Sequence, residues 1–446
     1  MKIHPTIFVA IASYRDTELV PTLLDMLAQA NRPERLHIAV CWQDDGDISP
    51  FTAHGFSCQQ ADAGAGYVRY RLGKEAAIID LIAVDYMQSQ GACWARHLSN
   101  TLFAGQDYHL QIDSHSRFIA HWDDEMITML ESLRAQSARP VLSHYPPPYT
   151  PGQQASERST TVSRLVFSQF NDKGIVTLKS AAMQGDRPCY SGYLAAGFIF
   201  ADGHFVENVP YDPQLFFSGE EISLAARAYT HGYDLYTPGK VLLWHYYGRN
   251  EAPKFWGDHT TEAKERSLIT AAWWERDATS CQRIRCLLGI SQQPLDLGQW
   301  GLGQQRTLQE YEQRIGINFQ QQRLHPPIND AAGTSTPVTL PAEAAAQQQQ
   351  QACLHQRQMK LPRADVNRQR EEVLWWQLSV HRADNSPLMQ QQLSPAEITT
   401  LPKSDEGEAF ALTVVLNADS AIHAHCIRLC PYIDGIGWGE IREQAW

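Results

Sequence analysis

A chain of 446 residues, 43% apolar and 19% charged, is long enough for two or three domains with a full hydrophobic core. Its formal net charge of −12 argues against nucleic-acid backbones and anionic membrane surfaces as main partners, although a nucleotide needs only a local cationic pocket. The nine cysteines include no Cys-x-x-Cys pair, which argues against a zinc knuckle or redox motif and for free thiols in a reducing compartment.

No stretch reaches the length of a transmembrane helix. Met1 to Pro5 leads into a strand-like run without a signal-peptide layout. The expectation is a soluble, cytoplasmic protein.

Residues 6–12 read as a buried parallel strand, followed by the loop Ser13-Tyr14-Arg15-Asp16. Leu19 through Ala30 reads as an amphipathic helix with Leu19, Leu23, Leu24 and Leu27 on one face, and Leu36 to Trp42 as the next strand. This is a parallel β-α-β unit with a right-handed crossover. In such sheets ligands bind beyond the carboxyl ends of the strands, where Ser13 to Asp16 would sit.

Val68–Leu72 is a further strand and residues 89–104 a helix. The apolar approach Tyr108 to Ile112 then ends abruptly in Asp113-Ser114-His115. Trp122 to Ala135 reads as a helix, Val141 to Tyr145 as a short strand, and Pro146 to Pro151 as an exposed loop. Residues 194–200 read as a strand whose Gly197 admits close approach. A helix over Ile222 to His231 follows Gly219-Glu220-Glu221, and Val241 to His245 makes a further strand. Residues 260–288 read as mostly helical, and another helix runs on toward Phe319.

The reading therefore gives an α/β domain over residues 1–325. Residues 326–364, with Pro, Ala and the run Gln347 to Gln351, form a linker, and residues 365–446 a small β-rich domain.

In an extended segment, alternation puts Asp113 and His115 on one side and Ser114 on the other. A carboxylate and an imidazole at a strand mouth make half of a divalent-metal site; without a metal the same triplet is a solvated turn. The hard oxygen suits Mg²⁺ or Mn²⁺, and the imidazole tilts preference toward Mn²⁺. His245, at the end of an apolar strand, is the third ligand or else a histidine packed in an aromatic cluster.

Glu220 and Glu221 would position or deprotonate an acceptor hydroxyl, or stabilise a sugar with oxocarbenium character. Charge complementarity at a helix N-terminus accounts for them equally well. Arg15 and Arg96 have forks suited to a diphosphate or base, and Arg306 carries the same reading; surface arginines are the alternative.

Together these parts resemble a known family. The segments Ile7 to Asp16, Ala95-Arg96-His97, Asp107 to His115, Gly219-Glu220-Glu221 and Leu302 to Leu308 are similar to those of the polypeptide N-acetylglucosaminyltransferases that modify hydroxyproline on the Skp1 ubiquitin-ligase subunit. The resemblance covers about residues 5–320. It implies a GT-A glycosyltransferase (glycosyltransferase family 60-like), a Rossmann-like nucleotide-diphospho-sugar transferase core that retains anomeric configuration and uses UDP-GlcNAc and a divalent cation. It also implies that Asp113 and His115 hold metal and diphosphate. The mucin-type polypeptide GalNAc transferases, a related family, also use an Asp-x-His and a later histidine, which supports His245.

The expected protein is thus a metal-dependent retaining glycosyltransferase. Asp113, His115 and His245 hold Mn²⁺ or Mg²⁺, Ser13 and Arg15 line the nucleotide pocket, and Arg96 lies near the diphosphate. Glu220 and Glu221 orient acceptor or sugar hydroxyls, and the acceptor is a protein or glycan. Two other classes remain open: a nucleotide-sugar or glycan binding module without catalysis, and a glycoside hydrolase built on Glu220 and Glu221. The second fits poorly, since adjacent helical residues project about 100° apart.

Overall fold

A computed structural model of the protein describes residues 5–324 except 65, 184 and 292, and then 354–362, 373–399, 401, 409–417, 421 and 423–446. These fall into two compact units. The first holds 5–167 and 178–316; the second holds 168–177, 317–324 and the described residues from 354 onward.

In chain order the first fourteen strands are β1 (Ile7–Tyr14), β2 (Leu36–Asp44), β3 (Ser57–Gly64), β4 (Tyr67–Gly73), β5 (Ile78–Asp85), β6 (Tyr108–Asp113), β7 (Ser116–Phe118), β8 (Pro140–Ser143), β9 (Ser163–Phe170), β10 (Val176–Ala182), β11 (Cys189–Ser191), β12 (Phe198–Asp202), β13 (Asp234–Thr237) and β14 (Leu243–His245). Ten of them form one mixed sheet in the order β11-β13-β8-β12-β6-β1-β2-β5-β4-β3. Its centre is parallel: β1 lies between β2 and β6, with Ala12 level with both Cys41 and Asp113. β12 runs antiparallel between β6 and β8. β14 pairs with β7 in a separate two-stranded ribbon, and β9 pairs with β10.

β1 lies at the centre because its residues from Ile7 to Ile11 are fully buried, with helices available to cover both faces of such a run. The helix Leu19–Gln29 buries Leu19, Leu23, Met26 and Leu27; Leu24, expected inward, is only half-buried, and Met26 takes the inner position. Each fully buried side chain of this size contributes about 2 kcal/mol. The helix Trp122–Ser132 repeats the pattern with Met126, Met129 and Leu130. The strand expected over 194–200 begins only at Phe198, and Ala195 to Gly197 form a bridge and turn ahead of it. The helix expected to run on to Phe319 stops at Ile315, because Gly316 takes a left-handed φ of 71°.

In the second unit β15 (Ile317–Asn318) pairs with β16 (Arg323–Leu324). β17 (Leu354–Pro362) pairs antiparallel with β20 (Ala409–Asn417). A five-stranded sheet contains β18 (Val373–His381), β19 (Pro387–Leu393), β21 (Cys426–Ile433), β22 (Gly437–Trp438) and β23 (Arg442–Ala445). The β-rich C-terminus is therefore present, but it begins earlier than read. β17 lies within the stretch taken as linker: His355, Met359 and Leu361 alternate inward while Gln356, Gln358 and Lys360 face solvent. The second unit also takes in residues 168–177 and 317–324. The remainder of the linker reading lies largely outside the described residues. Among the described residues no helix is long and apolar enough to cross a membrane.

Candidate metal centre

Three ligand atoms, one each from Asp113, His115 and His245, lie within 4.8 Å of one another. Asp113 closes β6, His115 follows two residues later, and His245 closes β14. The backbone fixes their spacing: His245 is level with Ser116, and the Tyr246 amide donates to the His115 carbonyl at 3.0 Å. The two imidazoles meet edge to face, with centroids 4.5 Å apart.

Two of these candidate ligands, Asp113 and His115, are oriented by a further group. Asp113 Oδ1 accepts from Arg96 at 2.7 Å, which leaves Oδ2 facing His245 Nε2 at 3.1 Å. Burial raises the carboxyl pKa, but the His245 hydrogen bond and the Arg96 charge outweigh it and hold Asp113 well below the usual carboxylate range. His115 Nδ1 lies 2.8 Å from Asp16 Oδ2. An ionised carboxylate only accepts, so Nδ1 carries the proton and Nε2 keeps its lone pair. Burial pushes the His115 pKa down despite that bond, which favours neutral imidazole. A carboxylate behind a histidine that aims its other nitrogen forward is the usual support of a metal ligand.

The hard oxygen and two nitrogens fit a divalent cation of the Mn²⁺ or Mg²⁺ class. Gly197 supports this fit. A Cβ there would lie 2.9 Å from Asp113 Oδ2 and 3.7 Å from the His245 ring, so the backbone closes one side of the site where any side chain would intrude.

Ser114 does not point to the side opposite His115, since both meet Asp16 Oδ2. Ser114 is buried, and its hydroxyl donates to that oxygen. Alternation fails here because the chain leaves β6 at Asp113 and turns before β7 begins at Ser116.

Arg96 is not free to meet a diphosphate. It is buried, with Nη1 at 2.6 and 2.8 Å from the two Glu220 oxygens and Nη2 on Asp113. Glu220 is only 3% exposed, so its carboxylate is committed to Arg96. Gly219, at φ 84°, starts the helix Glu220–Thr230 and sends the two glutamates apart.

Glu221 accepts from the Ala196 amide at 3.0 Å and from the Tyr145 hydroxyl. Burial pushes its pKa up to about 7. Gln111 Nε2 donates to the Ala196 carbonyl at 2.7 Å. Glu221 and Gln111 thus hold the amide and the carbonyl of Ala196, next to Gly197.

Ser13, expected in a nucleotide pocket, is 1% exposed, and its carbonyl accepts from Gln43 Nε2 at 2.9 Å. Arg15 lies nearer the surface, with Nη1 2.8 Å from Asp258 and its guanidinium 4.4 Å from the centre of the Tyr86 ring. Its backbone is left-handed at φ 43°, and its amide donates to the Gln43 carbonyl at 2.9 Å. Arg306 stays outside the cluster, paired with Asp234 at 2.9 Å and stacked on Tyr229.

Two residues escaped the sequence reading. Asp16 was counted only as part of the first loop. Arg249, with Nη2 3.3 Å from Asp16 Oδ2, carries a second guanidinium to the cluster. Its signal was the sequence Tyr246-Tyr247-Gly248-Arg249 directly after His245.

Comparison with known proteins adds to this geometry. A family model described as Glycosyltransferase (GlcNAc) matches residues 6–321. No curated protein matches the chain significantly by sequence. Three solved structures are similar to it. GalNAc-T7 with UDP, GalNAc and Mn²⁺ is 11% identical, over 69% of this chain and 54% of that one, at a TM-score of 0.41. S. aureus TarS is 9% identical, over 99% and 77%, at 0.34. The mannosyltransferase PcManGT from Pyrobaculum calidifontis, with GDP-Man and Mn²⁺, is 11% identical, over 56% and 59%, at 0.35. The chain thus spans 54% of the length of GalNAc-T7 and 59% of PcManGT.

Proposed function

We infer the activity from family membership joined to site geometry: the chain belongs to the GlcNAc glycosyltransferase family. The reaction is transfer of GlcNAc, or a related sugar, from UDP to a hydroxyl acceptor on a GT-A type core, with retention at the anomeric carbon. The resemblance to the Skp1-modifying enzymes favours a protein acceptor. We place this activity in the cytoplasm, the compartment expected from the cysteine pattern of the sequence.

The observation that carries this reading is the convergence of Asp113, His115 and His245, with Asp16 behind His115. These three residues would hold Mn²⁺ or Mg²⁺. Such an ion, when bound, supplies Lewis-acid neutralisation of diphosphate charge. Arg15 and Arg249 bring guanidinium charge to the same carboxyl edge of the sheet, where a UDP diphosphate would be oriented. Arg96, Glu220 and Glu221 act as positioning residues. The first two fix Asp113, and the third fixes the Ala196–Gly197 backbone.

A hydrolase gains no support. Glu220 is bound to Arg96 and Glu221 to Tyr145 and Ala196, so the two carboxylates do not flank a common space.

The test is a donor screen. Purified protein is offered UDP-sugars with Mn²⁺, with free UDP and the anomeric configuration of the product as readouts. UDP-GlcNAc should be consumed, EDTA should stop turnover, and Asp113→Ala should abolish it without unfolding the chain. Full turnover in Asp113→Ala, or sugar release without any nucleotide donor, would overturn the reading.

A further inference from the structure

The second unit carries an aromatic surface of its own. In β18, Trp376, Leu378 and Val380 are buried in that unit's core, so alternation turns Trp375 and Gln377 to the other face. Register places Trp375 beside Tyr432 of β21, and Tyr432 beside Trp438 of β22. The three rings form one cluster. Trp375 and Tyr432 stack with centroids 5.2 Å apart at 12°. Trp438 meets both edge to face, 5.0 Å from Trp375 and 5.2 Å from Tyr432. Trp438 is 56% exposed.

The same face continues in neutral polar groups. Gln377 lies level with Gln392 of β19 on one side and Cys430 of β21 on the other, and Gln392 is exposed. One pair further on, Ser379 lies between Gln390 and Arg428. Arg428 Nε is 2.5 Å from Glu443, so the two charges on this part of the face cancel.

A pyranose has matching chemistry. Its axial C–H groups make an apolar face that stacks on an indole, and its rim of hydroxyls needs groups that both donate and accept, as carboxamides do. An anionic polymer or a strongly charged peptide would find no net charge here to meet it. We propose that this face binds a neutral oligosaccharide, with Trp438 stacking against one sugar ring and Gln377 and Gln392 hydrogen-bonding its hydroxyls. This is a second carbohydrate site in a chain whose family transfers sugars, and it requires neither the metal cluster nor turnover.

The test uses the full chain, with calorimetry and tryptophan fluorescence, titrated with chitohexaose, cellohexaose and maltohexaose to about 10 mM, a range suited to shallow sites. At least one hexasaccharide should bind saturably. Trp438→Ala should weaken binding by about tenfold or more, and Gln392→Ala by a few-fold. Asp113→Ala should bind as the parent does, which separates this site from the transfer site. Gln392 is exposed on its strand, so its variant tests the site even if loss of the Trp438 ring disturbs folding. No binding of any of the three sugars, or parental affinity in both Trp438→Ala and Gln392→Ala, would overturn the proposal. So would a face that joins two copies of the chain, seen as Trp438→Ala turning a dimer into a monomer in light scattering.

Discussion

His115 turns its Nδ1 toward Asp16 Oδ2, 2.8 Å away, across the boundary between neighbouring parallel strands β6 and β1. That contact decides which nitrogen of the imidazole is available. In Asp16→Asn the amide either accepts from Nδ1 or flips to donate to it, and the flipped form places the proton on Nε2. Mn²⁺ affinity should fall by about 10- to 100-fold, measured by titration calorimetry or by electron paramagnetic resonance of free Mn²⁺. An unchanged affinity would show that Asp16 does not orient the ligand.

Arg96 is buried between Glu220 and Asp113, and removing it leaves a carboxylate that is 3% exposed without its counter-charge. Arg96→Met should therefore cost about 3–5 kcal/mol of stability, read from urea unfolding followed by circular dichroism. The double variant Arg96→Met/Glu220→Gln should regain much of that loss and yet still bind Mn²⁺ poorly, because Asp113 Oδ1 stays untethered. If the double variant is no more stable than the single one, the buried pair is not the cause.

The backbone at Gly197 leaves no room beside the candidate metal cluster. An added methyl group would lie 2.9 Å from Asp113 Oδ2, closer than side-chain carbons ordinarily come. Gly197→Ala should keep the circular dichroism spectrum and weaken Mn²⁺ binding by about tenfold. Parental affinity in this variant would show that the carboxylate can swing without loss.

Burial pushes the Glu221 pKa from 4.5 up to about 7. Between those values the folded chain holds a proton that the unfolded chain has lost. The associated stability is complete below about pH 4.5 and disappears as pH rises through 7, an effect on the order of 3 kcal/mol. Urea midpoints should therefore fall between pH 5 and pH 8 in the parent, and the fall should shrink in Glu221→Gln. Equal slopes in the two proteins would count against this assignment.

The candidate cluster was legible because its signal is local. Asp113 and His115 stand at the end of an apolar run, and His245 ends another. The supports of that cluster were less legible. Asp16 is 99 residues from His115, and only the alignment of β1 with β6 joins them. Arg96 looks like a phosphate ligand in sequence because nothing there reveals that its helix buries Cys93, Ala95, Arg96 and Ser99 against the sheet. Glu220 was read as a helix-terminal charge or an acceptor-facing group, and its partner lies 124 residues earlier. β17 escaped because its alternation is carried by one histidine, one methionine and one leucine among polar residues, directly after a glutamine run.

The hydrogen bond from the Tyr246 amide to the His115 carbonyl, with the β14–β7 ribbon around it, has a kinetic consequence. The backbone of two of the three candidate donors, His115 and His245, is held by main-chain bonding, so binding a cation there would need little reorganisation. The rate of Mn²⁺ capture should follow water exchange on the ion, and stopped-flow mixing should give a single exponential whose rate rises linearly with concentration, with no plateau from a gating step.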